Sequence, residues 1–421
     1  MKLTRTASFL ALLLPLFFLG SCVKDTCRKT ITMKMPVFRS LTEVRNGMRS
    51  GVAQPVRHPG KIYTRGGYLF LNEVDKGIHV IDNSNPANPQ KLAFIPIPGN
   101  VDLAVKGQYL YADSYADLVV FDLGNLADIR PVRFVDNVFP FRSNYYFGNT
   151  TNPDSMMVVV DYTLRDTVVD CDSYGGPEFF DRGGAMPMSG PGGVLNTAGG
   201  GGGGTGGSMA RFAITGDHLY TVSTYSLSTF SISNPAQPQR LGERQLGGWN
   251  IETIFPFRDK LFIGSANGMM IYDISVPTNP SFISSFAHVT ACDPVIADDR
   301  NAFVTLRTGT ACRGVNDQLD VLDITNLSQP TPVRTYALTN PHGLAKDGDL
   351  LFICDGRDGL RVYNAAQPSA LVPLQHITGI DTYDAIALGG TLLVVAKDGL
   401  YQYSYNSGGN LVRLSRIAIE N

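Results

Sequence analysis

The sequence predicts an all-β fold, a β-propeller of seven four-stranded blades. A short phrase recurs along the chain, in which an apolar strand ends at an Asp and a turn rich in Asn and Pro follows. Clear copies end at Asp82, Asp122, Asp273 and Asp323. The strand before each phrase recurs about every 42 residues, which is the length that four short strands and their turns require. The composition agrees, because 44 Gly and 25 Pro among 421 residues favour many strands joined by turns.

The repeat predicts where each blade lies. The second strand of the seven units is expected to begin at Tyr68, Tyr109, His218, Lys260, Ala302, Leu350 and Thr391. The last unit contains four strands of its own, so the ring is expected to close by packing between blades rather than by a borrowed N-terminal strand. An eighth blade is the alternative, because the Phe-Pro-Phe segment of residues 138–142 resembles residues 254–258.

The long step between the second and third units predicts an insertion at about residues 138–208. We expect a hairpin in it, Met156–Tyr162 with Asp166–Cys171, followed by a flexible coil at the Gly tract of residues 199–204. This tract is interpreted as a surface loop, with a flap over one face as the alternative. Upstream, Ser40 and Glu43 have the spacing of a capping box, which predicts a short helix through Met48.

The N-terminus has the pattern of an export signal. Lys2 and Arg5 precede an apolar stretch, Phe9 to Leu19, that is too short to span a bilayer. The next residues, Gly20-Ser21-Cys22, complete a segment that resembles the lipobox of bacterial lipoproteins; an ordinary secretory signal is the alternative. The resemblance implies a membrane anchor at Cys22. We therefore expect an outer membrane lipoprotein, on the periplasmic or the surface face, with a signal peptide at 1–21, a tether with a short helix at 22–59 and the propeller at 60–421.

Export also permits disulfide bonds. Cys292 and Cys312 flank a predicted hairpin, so we expect a disulfide between them that closes a loop of about 20 residues; two unpaired thiols are the alternative. Cys354 lies in an apolar strand and is expected to be buried. The spacing of Cys and His does not suggest zinc, and we expect no metal and no cofactor.

The charge and the motifs exclude several function classes. A net charge of −2 gives no basic face for nucleic acid. The sequence lacks a nucleophile elbow, a phosphate-binding loop and the acidic pattern of an EF-hand. We therefore assign no catalytic residues.

Charged or titratable residues stand where the innermost strand of each unit begins, which in a propeller is the mouth of the central channel. They are Lys61, Asp102, Arg211, Glu252, Asp293, His342 and Asp384. We interpret them as a ring that binds a polar ligand, a cation or an extended peptide. The alternative is that strand ends are polar because they face water. Trp249 is added as a candidate binding anchor, because it precedes an innermost strand and Trp is favoured at binding sites.

The strand phrases, above all Gly77–Pro86 and Gln318–Asn326, resemble those of LVIVD repeat proteins, a family of bacterial and archaeal surface-associated propellers. The resemblance covers roughly residues 60–421, although the phrases at Ser231 and Tyr401 lack the Asp. It implies a fold and a location but no reaction. We expect a non-enzymatic binding or scaffolding protein for an envelope protein or glycan. The alternatives are a carbohydrate-active envelope enzyme that uses carboxylates at the channel mouth, and a surface-layer component.

Overall fold

A computed structural model of the protein describes residues 28–139, 146–147, 152, 154–170, 205–247, 250–287, 294–308 and 313–420. These residues contain seven four-stranded antiparallel blades, which confirms the predicted all-β propeller and its blade number. In each blade the strands pair in chain order. The first strands of successive blades contact one another, so they form the innermost layer around a central channel.

Three elements precede the blades: β1 (Arg28–Ser40), α1 (Leu41–Asn46) and β2 (Gly51–Val52). Blade 1 is formed by β3 (Pro59–Arg65), β4 (Tyr68–Glu73), β5 (Gly77–Asp82) and β6 (Gln90–Pro96). Blade 2 is formed by β7 (Leu103–Lys106), β8 (Tyr109–Ser114), β9 (Asp117–Asp122) and β10 (Arg130–Val135). The insertion contributes β11 (Tyr146–Phe147), β12 (Met157–Asp170) and β13 (Thr205–Gly206).

The remaining strands form blades 3 to 7 in chain order. Blade 3 has β14 (Phe212–Thr215), β15 (His218–Val222), β16 (Ser226–Ser231) and β17 (Gln239–Gln245). Blade 4 has β18 (Ile251–Phe257), β19 (Lys260–Ser265), β20 (Gly268–Asp273) and β21 (Ser281–Ala287). Blade 5 has β22 (Val295–Ala297), β23 (Asn301–Thr308), β24 (Arg313–Asp323) and β25 (Thr331–Ala337). Blade 6 has β26 (Leu344–Asp347), β27 (Leu350–Cys354), β28 (Leu360–Asn364) and β29 (Val372–Ile377), and blade 7 has β30 (Thr382–Ala387), β31 (Thr391–Ala396), β32 (Gly399–Tyr405) and β33 (Leu411–Ala418).

The Asp that ends each repeated phrase has a structural role. Its Oδ1 accepts the backbone N–H of the residue two positions later, as Asp82 does from Ser84 at 2.9 Å and Asp323 from Thr325 at 2.8 Å. This contact satisfies a backbone donor where the chain leaves the third strand and turns. Asn364 makes the same contact with the next turn at 2.9 Å, which explains why blade 6 does not need the Asp.

In each of the seven blades, the fourth and outermost strand carries a β-bulge at the equivalent position. The register between the third and fourth strands shifts there by one residue, and the extra residue is aliphatic in each blade: Leu92, Val132, Leu241, Ile283, Val333, Leu374 and Leu414. A bulge bends the strand and increases its twist. The bulge therefore makes the outer edge a poor template for pairing with another strand, although in blade 1 the outer strand β6 pairs with the two-residue strand β2.

Some third strands begin with a glycine that the backbone requires. Gly77 and Gly399 have φ of 146° and 151°, a region that residues with a side chain rarely adopt. A Cβ at Gly77 would lie 2.0 Å from the Ile95 carbonyl oxygen on the neighbouring strand, and one at Gly399 would lie 2.3 Å from the Ile417 oxygen. The glycine therefore lets the third and fourth strands approach each other closely.

The ring of blades closes by packing, as the sequence indicated. All four strands of blade 7 follow one another at the C-terminus, and its Leu393 and Val395 lie in one buried cluster with Ile62 and Leu69 of blade 1. Hydrogen bonds join the same two blades and the segment before them: Gln402 Nε2 donates to Asn83 Oδ1 at 2.7 Å, and the Glu420 N–H donates to the Val56 oxygen at 2.8 Å.

The predicted helix is present and ends at Asn46, short of Met48. Both contacts of its capping box form: Ser40 Oγ accepts from the Glu43 N–H, and Glu43 Oε2 accepts from the Ser40 N–H. Leu41 and Val44 are buried in the core cluster shared with blades 1 and 2. The described part of the chain has no helix with the length and apolar character of a membrane span.

The predicted hairpin in the insertion, Met156–Tyr162 with Asp166–Cys171, is wrong. β12 runs without a break from Met157 to Asp170 and pairs with β1 and β11. The link Thr163–Arg165 contains none of the Gly, Pro or Asn residues that a tight turn favours. The predicted tether thus contains a strand. Residues 28–37 and 161–170 belong to a small separate unit, and the other described residues form the large one.

Candidate functional site

The structure describes six of the seven residues predicted at the channel mouth. Lys61, Glu252 and Asp384 lie in the innermost strands β3, β18 and β30, whereas Asp102, Arg211 and His342 lie one or two residues before β7, β14 and β26. Asp293 and Trp249 lie outside the described residues, as do Cys22, Cys292 and Cys312. Cys354 is buried, as expected.

Lys61 and Asp102 form a buried ion pair between blades 1 and 2. Lys61 Nζ donates to Asp102 Oδ2 at 3.3 Å and also to the Met209 carbonyl oxygen. The two side chains are only 5% and 1% exposed. Burial raises the pKa of Asp102 and lowers the pKa of Lys61, and each charge opposes the effect of burial on its partner. Removing either residue would therefore leave the other charge buried without a counter-charge.

A second carboxylate, Glu252, lies beside arginines. Arg211 Nε donates to the Glu252 backbone oxygen at 3.4 Å, and Asn250 Nδ2 donates to Glu252 Oε1 at 2.9 Å. Burial raises the pKa of Glu252, while the charges of Arg211, Arg307 and Lys61 oppose that rise. Positive charges from three blades thus act on one carboxylate.

His342 lies against Arg307, a residue that the sequence analysis did not assign to the site. Arg307 Nη1 is 2.7 Å from His342 Nδ1 and 3.0 Å from Nε2, and Tyr383 packs edge-on against the imidazole with ring centroids 5.3 Å apart. Burial and the charge of Arg307 lower the pKa of His342 well below its usual value. The imidazole is therefore neutral at pH 7.

Arg307 reaches the channel from the end of β23, the second strand of blade 5. It is the one charged residue in the strand sequence NAFVTLRT, and this contrast is the signal that could have identified it. Burial lowers its pKa, and the charges of Glu252 and Asp317 oppose that effect. We call Lys61, Asp102, Arg211, Glu252, Arg307, His342 and Asp384 the axial ring.

Asp384 differs from the other members because one of its oxygens is unused. The residue is fully buried, and its Oδ1 accepts the Ala385 N–H at 2.7 Å. Its Oδ2 is buried without a hydrogen-bond partner among the described residues. In the equivalent position of blade 2, both oxygens of Asp102 have partners. Burial raises the pKa of Asp384 well above its usual value, with Lys61 opposing and Asp102 adding to the rise.

The segment 205–210 crosses the channel next to the axial ring. β13 adds to the inner edge of β3, and residues 207–210 are buried. Further contacts reach three different blades: Met209 O with Lys61 Nζ, Ser208 Oγ with the Leu344 N–H at 3.3 Å, and Ala210 O with the Ile254 N–H at 2.8 Å. One segment that bonds to the innermost strands of blades 1, 4 and 6 must pass through the axis. It therefore lies inside the channel.

Other carboxylates near the mouth are structural. Asp113 Oδ1 accepts the backbone N–H groups of Val101 and Asp102 at 2.8 and 2.9 Å. Asp355 Oδ1 accepts the Asn340 N–H at 2.8 Å in the equivalent place of blade 6. They orient the chain where it enters the innermost strand. Within the described ranges, no three His, Cys, Asp or Glu side chains are grouped as metal ligands would be.

The chain matches the LVIVD repeat in four stretches, at residues 57–93, 99–132, 261–288 and 311–337. These stretches lie in blades 1, 2, 4 and 5. No curated protein sequence matches the chain.

Solved structures are similar in fold. The periplasmic gluconolactonase PpgL of Pseudomonas aeruginosa matches with a TM-score of 0.53 and 11% identity, over 86% of this chain and 95% of that one. Sqt1 of Saccharomyces cerevisiae matches with a TM-score of 0.52 and 8% identity, over 86% of each chain. Identities this low show the fold alone. The described part of the chain is thus a seven-bladed β-propeller that carries LVIVD repeats.

Proposed function

We propose that the protein is an exported, lipid-anchored β-propeller that binds a polar ligand at the axial ring and acts as a non-enzymatic binding or scaffolding protein of the cell envelope. The observation that carries the proposal is the buried Asp384 Oδ2, which lacks a partner among the described residues. Buried polar atoms almost always have hydrogen-bond partners, so an unused one points to a ligand or water.

The chemistry around this oxygen defines the ligand class. A ligand hydroxyl can donate to a carboxylate oxygen or accept from a protonated one, so it fits Asp384 in either state. Arg211 and Arg307, half-buried members of the axial ring, bring positive charge that favours ligand oxygens. Sugar hydroxyls and peptide groups offer both kinds of partner. We therefore infer a glycan or an extended peptide of the envelope as the ligand.

Binding is favoured over catalysis by the state of the titratable groups. His342 is held neutral beside the Arg307 guanidinium, which opposes the proton uptake that a general base requires. Asp102 is used in the ion pair with Lys61.

The envelope location rests on the sequence before the blades. The N-terminal segments follow one another as in a lipoprotein signal: the basic Lys2 and Arg5, then the apolar stretch to Leu19, then Cys22. One acyl chain binds a membrane only marginally, whereas two give a stable anchor. We expect palmitate labelling of the wild type and none of Cys22→Ser, together with recovery of the wild type in the outer membrane fraction.

The binding site is tested with purified protein and a panel of peptidoglycan fragments, other envelope glycans and extended peptides. Both retention and turnover are measured. We expect retention without turnover, and loss of retention in Asp384→Leu, which keeps the branched shape and removes both oxygens. Asp349→Leu, a change at an exposed residue, is the control. Turnover that is abolished by His342→Ala would establish the enzymatic alternative instead.

A further inference from the structure

The small unit of the structure contains a two-stranded ribbon, residues 28–37 of β1 with residues 161–170 of β12. Thr32 Oγ1 donates to Asp166 Oδ1 at 2.7 Å, and Thr163 Oγ1 donates to the Met35 oxygen at 3.5 Å. As the residue number rises on one strand it falls on the other, so the pairing is antiparallel. The start of β1 and the end of β12 therefore lie at the same end of the ribbon.

On β12, one face of this ribbon carries exposed apolar side chains. Side chains alternate between the two faces of a strand, so the even-numbered residues of β12 share a face. Tyr162, Leu164 and Val168 on that face are 52%, 69% and 62% exposed. The only other even-numbered residue between them, Asp166, is used in the contact with Thr32. Exposed apolar side chains in such a row mark an interaction surface.

The strand beside this face is basic. Within the ribbon, β1 has three basic residues and no acidic one, whereas β12 has three Asp and one Arg. From the two contacts above, Lys34 lies opposite Leu164 on the same face. Exposed apolar side chains with a Tyr and a neighbouring Lys are typical of segments that lie in the interface of a bilayer.

The chain length places this end of the ribbon near a lipid anchor. Six peptide steps separate Cys22 from Arg28, and a fully extended chain of that length spans at most about 20 Å. A lipid on Cys22 would thus hold the start of β1 close to the membrane surface, whatever path the chain takes between them.

We propose that the even-numbered face of the ribbon, formed by Tyr162, Leu164 and Val168 with Lys34, lies on the membrane that holds Cys22. Leu164 and Val168 enter the acyl boundary, while the Tyr162 hydroxyl and the Lys34 ammonium remain at the headgroups. This inference rests on the lipid anchor of the proposed function. It adds a second contact with the same bilayer, which restricts how the tethered chain can turn at the surface.

The test uses the full lipidated protein in vesicles of phosphatidylethanolamine and phosphatidylglycerol with brominated acyl chains, which quench tryptophan on contact. Leu164→Trp is compared with Arg165→Trp, its neighbour in sequence, whose side chain lies on the opposite face of the strand. Both residues are exposed, and both variants share the native Trp249 as background. We expect a blue shift and strong quenching for Leu164→Trp, and a signal like that of the wild type for Arg165→Trp.

Equal quenching of the two variants, or no quenching of Leu164→Trp, would overturn the ribbon contact. Partition of the wild type into the detergent phase, with Cys22→Ser left in the aqueous phase, measures the anchor separately. A wild type that partitions while Leu164→Trp stays unquenched refutes only the ribbon contact. A wild type that does not partition refutes the anchor, and the ribbon inference with it.

Discussion

Replacing Lys61 by Met should destabilise the propeller strongly, because it leaves the Asp102 carboxylate buried without its counter-charge. Removing one partner of a buried ion pair typically costs about 3–5 kcal/mol. Asp102 would keep the N–H donors of Leu103 and Arg211, so we expect a loss near the lower limit, about 3 kcal/mol. Replacing both charges, in Lys61→Met/Asp102→Asn, should restore most of that stability because no buried charge is left.

The assay is denaturant unfolding at pH 7, followed by fluorescence and circular dichroism. Lys91→Met is the matched control, because Lys91 pairs with Glu420 at 2.8 Å on the surface, with 30% and 53% of the side chains exposed. A surface pair of this kind contributes about 0–1 kcal/mol. If Lys61→Met cost no more than Lys91→Met, or if the double variant were as unstable as the single one, the buried ion pair would be refuted.

Three further changes test other parts of the structure by thermal unfolding. Because the pKa of Asp384 is raised in the folded state, the wild type should lose stability as the pH rises from about 4 through the folded-state pKa. Asp384→Asn should flatten that loss between about pH 4 and 8. An unchanged slope of stability against pH would contradict this. Because the pKa of His342 is lowered in the folded state, the wild type should lose stability as the pH falls below about 6.5, where only the unfolded state takes up the proton. His342→Gln should lose less stability than the wild type between about pH 7 and 5. Equal losses of stability would exclude this titration. Gly399→Ala should lower the free energy of unfolding by more than about 2 kcal/mol, because of backbone strain and the clash with the Ile417 oxygen. Gly242→Ala is the control and should be nearly neutral, because its added Cβ meets nothing within 4 Å. Similar losses in the two variants would show that the third strand does not need the glycine.

Much of the fold could be predicted because its signals are local. Each blade is a meander of neighbouring strands, so the alternation of apolar residues and the turn after Asp82 or Asp323 are enough to place it. The second strands begin where the repeat predicts them, with a shift of one residue in blade 5, from Ala302 to Asn301. The capping box of α1 is local in the same way.

The features that the sequence did not reveal depend on contacts between distant segments. β12 pairs with β1, which lies more than a hundred residues earlier, and no turn residue marks that pairing. The segment 205–210 enters the channel without any pattern of its own, next to the Gly tract. The repeat register placed Lys61, Asp102 and Asp384 at or beside the start of an innermost strand, but the unused oxygen of Asp384 follows from its neighbours in space, as does the Arg307–His342 contact.

The axial ring is proposed to be the ligand site of a binding protein. The most direct test of this site is a calorimetric titration of the panel member that is retained, against the wild type, Asp384→Leu and Asp349→Leu at pH 7. Loss of a buried hydrogen-bonding group typically costs 1–3 kcal/mol, so Asp384→Leu should weaken binding by about tenfold or more, while Asp349→Leu should bind as the wild type does. Equal affinities of all three proteins would contradict the claim.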